Sequence, residues 1–303
     1  MDFPRVLSIQ SHVVRGYVGN KSATFPLQVL GFEVDAINSV QLSNHTGYKT
    51  TNGQILNETD LGNILRVIID ALKENNLLKY THMLTGYVGS PSFLEKVVQV
   101  VQVVRSFNPK LLYVCDPVLG DNGKLYVPES LIAIYRDKII PLANVITPNQ
   151  FELELLCGRS INTIDEAWKA MSTFHDKGCQ TVLLSSSNYG GETELIALAS
   201  TVKDGLKTRA CIKIPKLDAN FTGTGDLFAA LFLAWSYKTN NDIKITLDNT
   251  IASLQAVLRR TLQSALQESH GQKPHVGQLE LKLLQSKNDI EFPKPSVHSE
   301  IIE

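Results

Sequence analysis

The sequence contains no pair of cysteines spaced for a metal knuckle or a redox dithiol. Cys115, Cys157, Cys179 and Cys211 are scattered without a Cys-x-x-Cys step. They read as reduced thiols of a cytosolic protein, packed as small apolar groups. The seven histidines, His12 and His45 among them, lack metal-ligand spacing, which removes a zinc hydrolase. No basic tract is present and the net charge is −1, so a nucleic-acid partner is excluded and any bound phosphate belongs to a small molecule. The longest apolar run, Leu227 to Trp235, is half of a membrane span. The opening Met-Asp-Phe-Pro-Arg has no signal-peptide layout. Internal repeats, low-complexity tracts and linkers are also missing. Two nucleotide motifs fail on spacing: Phe228 stands where a dinucleotide fingerprint needs a third glycine, and Asn20 separates Gly19 from Lys21 where a P-loop allows nothing.

What remains is a chain of 303 residues with 43% hydrophobic content, enough to bury a large core. Short aliphatic runs suggest strands at Val6–Gln10, Phe32–Ile37, His82–Thr85, Leu111–Cys115, Val145–Thr147, Thr181–Ser185, Leu195–Ala199 and Cys211–Ile214. Between them lie segments of helical period. Leu94, Val97, Val98, Val101 and Val104 share a face behind Ser90-Pro91, Thr163 and Glu166 form a capping box, and Ile251, Leu254, Leu258, Leu262 and Leu266 make a second stripe. Such alternation predicts an α/β fold, a doubly wound, mostly parallel central sheet with helices on both faces. Residues 1–290 are expected to form a single domain, and 291–303, with Pro293 and Pro295, a loosely ordered tail.

The most informative segment is Asp218 to Trp235, where Phe-Thr-Gly-Thr-Gly-Asp opens directly onto an apolar helix. Gly223 and Gly225 permit a tight turn with accessible amides, and the helix N-terminus adds partial positive charge, so the junction suits an anion. The charge of Asp226 would oppose that anion unless its task is to take a proton from an alcohol that attacks it. The competing reading makes Asp226 an ordinary N-cap. Asn149 and Glu152 pose a similar choice, because their spacing is that of a capping box.

In an open parallel sheet, ligands sit beyond the carboxyl ends of the strands. The residues that follow the expected strands include Ser11-His12, Ser43-Asn44-His45-Thr46-Gly47-Tyr48, Gly86-Tyr87, Asp116-Pro117-Val118-Leu119-Gly120-Asp121, Thr147-Pro148-Asn149-Gln150-Phe151-Glu152 and Ser185-Ser186-Ser187. Joined in this order with Ser8-Ile9-Gln10-Ser11-His12, Arg15-Gly16-Tyr17-Val18-Gly19-Asn20 and the Gly-Thr-Gly-Asp turn, these motifs resemble the pyridoxal kinase family of the ribokinase-like superfamily, from Arg5 to about Ile290.

The resemblance implies a ribokinase-like fold and ATP-dependent phosphorylation of the 5′-hydroxymethyl group of pyridoxal, and of pyridoxine and pyridoxamine. It implies Asp226 as base and an anion hole at Gly223, Thr224 and Gly225. Ser11 and Thr46 would bond the polar atoms of the vitamer ring, with Val18 and Tyr87 against its face. ATP would lie among Asp116, Asn149, Glu152, Ser185, Ser186, Tyr126, Phe221 and Thr224. Asp121 and Glu152 would serve magnesium; Asp116, Thr147 and Ser185 would hold a potassium or sodium ion, with Ser185 standing where several relatives carry threonine. A homodimer in the cytosol follows from the same resemblance. Two other classes stay open: a related kinase for a sugar, nucleoside or hydroxymethylpyrimidine, and a catalytically silent vitamin-binding protein. His45 either shapes the pocket or is a satisfied loop histidine.

Overall fold

The computed structural model describes residues 3–55 and 58–302. In chain order the strands are β1 (Arg5–Val13), β2 (Glu33–Leu42), β3 (Gly53–Ile55), β4 (His82–Thr85), β5 (Leu112–Cys115), β6 (Gly120–Asp121), β7 (Lys124–Leu125), β8 (Val145–Ile146), β9 (Thr181–Ser187), β10 (Glu194–Lys203), β11 (Leu206–Pro215) and β12 (Glu300–Ile302). The helices are α1 (Asn20–Val29), α2 (Glu58–Glu74), α3 (Pro91–Phe107), α4 (Ser130–Ile134), α5 (Gln150–Cys157), α6 (Ile164–Asp176), α7 (Thr224–Lys238), α8 (Ile243–Glu268) and α9 (Lys287–Glu291).

Ten strands form one sheet in the order β12-β11-β10-β9-β8-β5-β4-β1-β2-β3, and β6 with β7 makes a separate two-stranded ribbon. From β2 through β1, β4, β5 and β8 to β9 every pairing is parallel. Antiparallel strands extend both edges. The parallel strands are apolar on both sides because each side is covered. Leu7, Met83 and Cys115 enter one core layer, whereas Val6, Leu84 and Val114, one residue away on the same strands, enter the other. The first layer is closed by α3 and α6, the second by α1, α7 and α8.

The eight expected strands are all present, and His82–Thr85 has the same limits. Polar residues alternating with apolar ones carry β1, β2, β10 and β11 beyond the apolar runs that mark them. Helix signals translate with two adjustments. Thr163 accepts the Glu166 amide at 3.2 Å, but Glu166 reaches back to the Asn162 amide at 2.7 Å and not to that of Thr163. In α8 the stripe holds through Ile251, Leu254 and Leu258, after which Leu266 is half exposed and Ala265 is buried instead.

The C-terminal stretch departs from the expectation of a loosely ordered tail. β12 pairs antiparallel with β11, setting Glu300 against Cys211 and Ile302 against Arg209. Ser299 is anchored just before it, its amide and hydroxyl both donating at 2.6 Å to Oδ1 of the buried Asp248. Proline and polar side chains read as disorder, but the partner is 51 residues away and invisible to local pattern. No helix among the described residues is long and apolar enough to cross a membrane.

Candidate active site

The parallel strands deliver their carboxyl ends to one rim, and the Gly-Thr-Gly-Asp turn closes against it. Gly223 caps α7 in the left-handed conformation, φ 83°. A side chain there would also strike the Tyr17 carbonyl, so both backbone angle and space demand glycine. Because the cap is Gly223 and α7 begins at Thr224, Asp226 is the third helical residue and the N-cap reading falls. Its carboxylate turns to the loop after β1 and accepts the Gly19 amide at 2.8 Å. Burial raises its carboxyl above the ordinary range, with the Gly19 hydrogen bond opposing. The first-turn amides of Thr224, Gly225 and Asp226 have no intrahelical acceptor. α7 itself is buried from Asp226 to Ser236, which fixes the turn to the core.

Beside it stands Asp116, directly after β5. One of its oxygens lies 3.5 Å from where a Cβ on Gly225 would be, which sets the Asp116 carboxylate against the glycine turn. Burial first, then the charge of Asp226, push the Asp116 carboxyl up to about 7, against a hydrogen bond donated by the Thr147 hydroxyl at 2.9 Å. The Ser185 hydroxyl and amide donate to the Pro148 carbonyl at 3.2 and 2.9 Å, which brings Ser185 next to Thr147.

Asn149 and Glu152 do form a capping box for α5, with Asn149 accepting the Glu152 amide and Glu152 the Asn149 amide, each at 2.9 Å. Glu152 does more than a cap requires. Its Oε1 also accepts the Leu119 amide at 2.9 Å and the Gly120 amide at 3.4 Å, tying α5 to the ribbon that carries Asp121. Asn149 donates to the Gly120 carbonyl at 2.8 Å, so both ends of its amide are engaged. Burial and then Asp116 hold the Glu152 carboxyl well above its usual range. Asp121 is exposed and bonded to Asn122. Tyr126 is half exposed; burial, then the charges of Asp121 and Glu152, raise its phenol.

Asp116 and Glu152 are buried within reach of each other's charge, and Asp121 stands exposed on the adjoining ribbon; carboxylate oxygens of this kind are hard donors that suit magnesium or a monovalent ion. Among the described residues, no three His, Cys, Asp or Glu side chains converge as a preformed metal cage. Such a set fits an ion that keeps its waters and arrives with phosphates. Ser186 and Phe221 are half-buried, and Phe221 packs against the α7–α8 core layer.

On the opposite side, Ser11 lies inside β1 and not after it, at a register shift between Gln10 and His12 against β2. It is buried against Gly19, whose amide serves Asp226, so Ser11, Gly19 and Asp226 share one corner. Val18 is buried against Gly223. Tyr87 is half-buried, its carbonyl accepting the Ser39 hydroxyl at 2.9 Å. Thr46 is exposed; the next residue, Gly47, borders Thr222 of the glycine turn.

Sequence reasoning missed two supports. Asn20 joins Ser8 at 2.8 Å, Asn38 at 2.8 Å and the Ile37 carbonyl at 2.9 Å, a buried network that seats the start of α1 and with it Gly19. Asn20 sits in the Arg15–Asn20 motif, so its type was a usable signal. Glu280 holds His45, Tyr48 and the Tyr17 amide. Nothing local in the sequence marks it.

A doubly wound sheet with a Gly-Thr-Gly-Asp turn at its strand ends defines the ribokinase-like class of α/β kinases. Residues 36–275 match the family model described as phosphomethylpyrimidine kinase. The chain is 49% identical to pyridoxal kinase of Homo sapiens over 98% of both chains, and 50% identical to pyridoxal kinase of Arabidopsis thaliana over 99% of this chain and 95% of that one. Its structure resembles that of pyridoxal kinase from Leishmania donovani in complex with ADP and pyridoxamine, with a TM-score of 0.89, 32% identity and 99% of both chains covered. The chain belongs to the pyridoxal kinase family.

Proposed function

We propose that this protein transfers the γ-phosphoryl group of ATP to the 5′-hydroxymethyl oxygen of pyridoxal, and of pyridoxine and pyridoxamine, giving the 5′-phosphates. The observation that carries this reading is Asp226: a buried carboxylate of raised proton affinity, inside the first turn of α7 and in the same corner as Ser11. Asp226 takes the alcohol proton as the oxygen attacks phosphorus. The amides from Gly223 to Gly225 and the α7 dipole hold the charge on the transferring group. Ser11 and Thr46 bond the polar atoms of the ring, and Val18 and Tyr87 supply an apolar slot.

ATP lies toward Asp116, Asn149, Glu152, Ser185, Ser186, Tyr126, Phe221 and Thr224. Asp121 and Glu152 serve magnesium through its waters, because the Glu152 oxygens are already engaged by backbone amides. Asp116, Thr147 and Ser185 form the potassium or sodium site, which would relieve the buried charge on Asp116. Bound with the nucleotide, these cations supply charge neutralisation for the phosphates. We also read the protein as a cytosolic homodimer of single-domain subunits. An open cleft of about 680 Å³ beside β2, lined by Val34, Ile37, Leu72 and Tyr80, offers surface for a second copy.

The test is Asp226→Asn. Asn keeps an acceptor for the Gly19 amide, leaves the Gly223 cap untouched and removes a buried charge beside Asp116, so the variant folds at least as stably. As a base it is lost, and kcat falls by roughly 10²–10⁴ while ATP and pyridoxal still bind. A variant keeping more than about a tenth of the rate would remove Asp226 from that role.

A further inference from the structure

Glu280 follows a short 3-10 turn (Val276–Leu279) and reaches loops that lie more than 230 residues earlier in the chain. Its side chain is 10% exposed. Three donors converge on it: the Tyr17 amide at 3.1 Å to Oε2, the Tyr48 hydroxyl at 2.8 Å to Oε1, and the His45 Nε2 side at 3.4 Å from Oε1. His45 Nδ1 accepts the Gly47 amide at 3.1 Å, which leaves Nε2 to carry the proton that faces Glu280. Gly16 lies under the carboxylate, where any side chain would overlap it. Burial alone would push the Glu280 carboxyl up, but the hydrogen bonds from His45 and Tyr48 outweigh it and hold it below its usual range.

These contacts bracket the pocket residues without including them. His45 and Tyr48 flank Thr46 in one loop; Tyr17 precedes Val18 in the other, and its carbonyl packs on Gly223. Among the described residues, none of the hydrogen bonds of Asp116, Thr147, Glu152 or Ser185 runs to Glu280. The clasp is therefore linked by hydrogen bonds to the Ser11–Thr46 side of the site and not to the carboxylates on the other side, although its loops also pack on the glycine turn. We infer that Glu280 is a positioning residue: it sets the gap between the Ser43–Tyr48 loop and the Arg15–Val18 loop, and so how tightly the vitamer ring is held, without touching the ring. This rests on the functional reading above.

Steady-state kinetics on Glu280→Ala, Glu280→Gln, Tyr48→Phe and the Glu280→Ala/Tyr48→Phe double variant test it. Gln matches Glu in size but turns an amide donor toward donors, so it does not restore the clasp. Both Glu280 variants raise KM for pyridoxal about tenfold, with KM for ATP and kcat held within about threefold. Tyr48→Phe removes one donor of three and raises KM for pyridoxal about threefold, and in the double variant it adds nothing to Glu280→Ala. Should the Ala variant fail to fold, the Gln and Phe variants carry the same split. An ATP KM rising in step, or an unchanged pyridoxal KM in both Glu280→Gln and Tyr48→Phe, overturns the inference. If the unaltered protein does not phosphorylate pyridoxal, the functional reading itself falls and takes this one with it.

Discussion

Asp116 and Asp226 place two carboxylates in one dry corner, a costly arrangement unless a cation or a proton relieves it. Asp116 binds a proton more tightly folded than unfolded, its carboxyl moving from 3.8 to about 7. Between those values the folded state holds the extra proton, so stability falls as pH rises across the window. Without ligands or metal ions, the melting temperature should decline from about pH 4 to about pH 7, more gently in Asp116→Asn. Potassium or sodium, set against a bulky organic cation at equal ionic strength, should raise it at pH 8 in the unaltered protein only. An equal cation response in Asp116→Asn would place the ion elsewhere. In the proposed pocket, Ser11 and Thr46 act in the ground state. Replacing either with Ala should remove a hydrogen bond of about 0.5–1.5 kcal/mol, raising KM for pyridoxal several-fold and leaving that for ATP near its original value. Movement of the ATP value alone would reassign the pocket. Residue types carried much of this site in the sequence: the strand-end carboxylates and hydroxyls could be named in advance. Which of two roles each played could not, because Asp226 as cap or base turns on which residue starts the helix.

Elements explain how those residues are held. α5 begins with a capping box, legible from the Asn149–Glu152 spacing, yet the same glutamate also anchors the β6–β7 ribbon, a tertiary contact 32 and 33 residues away that spacing does not encode. The C-terminal strand shows the reverse failure, where composition suggested looseness and a buried aspartate imposed order. Asp248 takes two bonds from Ser299 and lies 3.5 Å from the Lys244 ammonium and 3.2 Å from His298. Asp248→Ala leaves the Ser299 donors unpaired and should cost about 1–3 kcal/mol in a denaturant melt. Because β12 lies at the far edge of the sheet from β1, KM and kcat should stay unchanged. A neutral melt would mean that the tail contributes no stability.

At the scale of the whole molecule, alternating apolar runs and helical stripes made the central sheet legible, since double burial writes itself into composition. The outermost strands were not, because β3 and β12 are three-residue strands whose pairing depends on neighbours distant in sequence. The glycine turn and the strand-end motifs gave the class of chemistry. The family model's phosphomethylpyrimidine description and the pyridoxal kinase relatives name different flat heteroaromatics, and the pocket side of the rim is where they would be told apart. The direct measurement is kcat/KM with ATP and magnesium across pyridoxal, pyridoxine, pyridoxamine, hydroxymethylpyrimidine, ribose and adenosine. The three B6 vitamers should exceed every other alcohol by at least about a hundredfold, a floor set by apolar-pocket discrimination alone and well under the roughly 10⁴-fold that unpaired polar groups in a hydrogen-bonding site can add. A higher kcat/KM for hydroxymethylpyrimidine, ribose or adenosine would contradict the account.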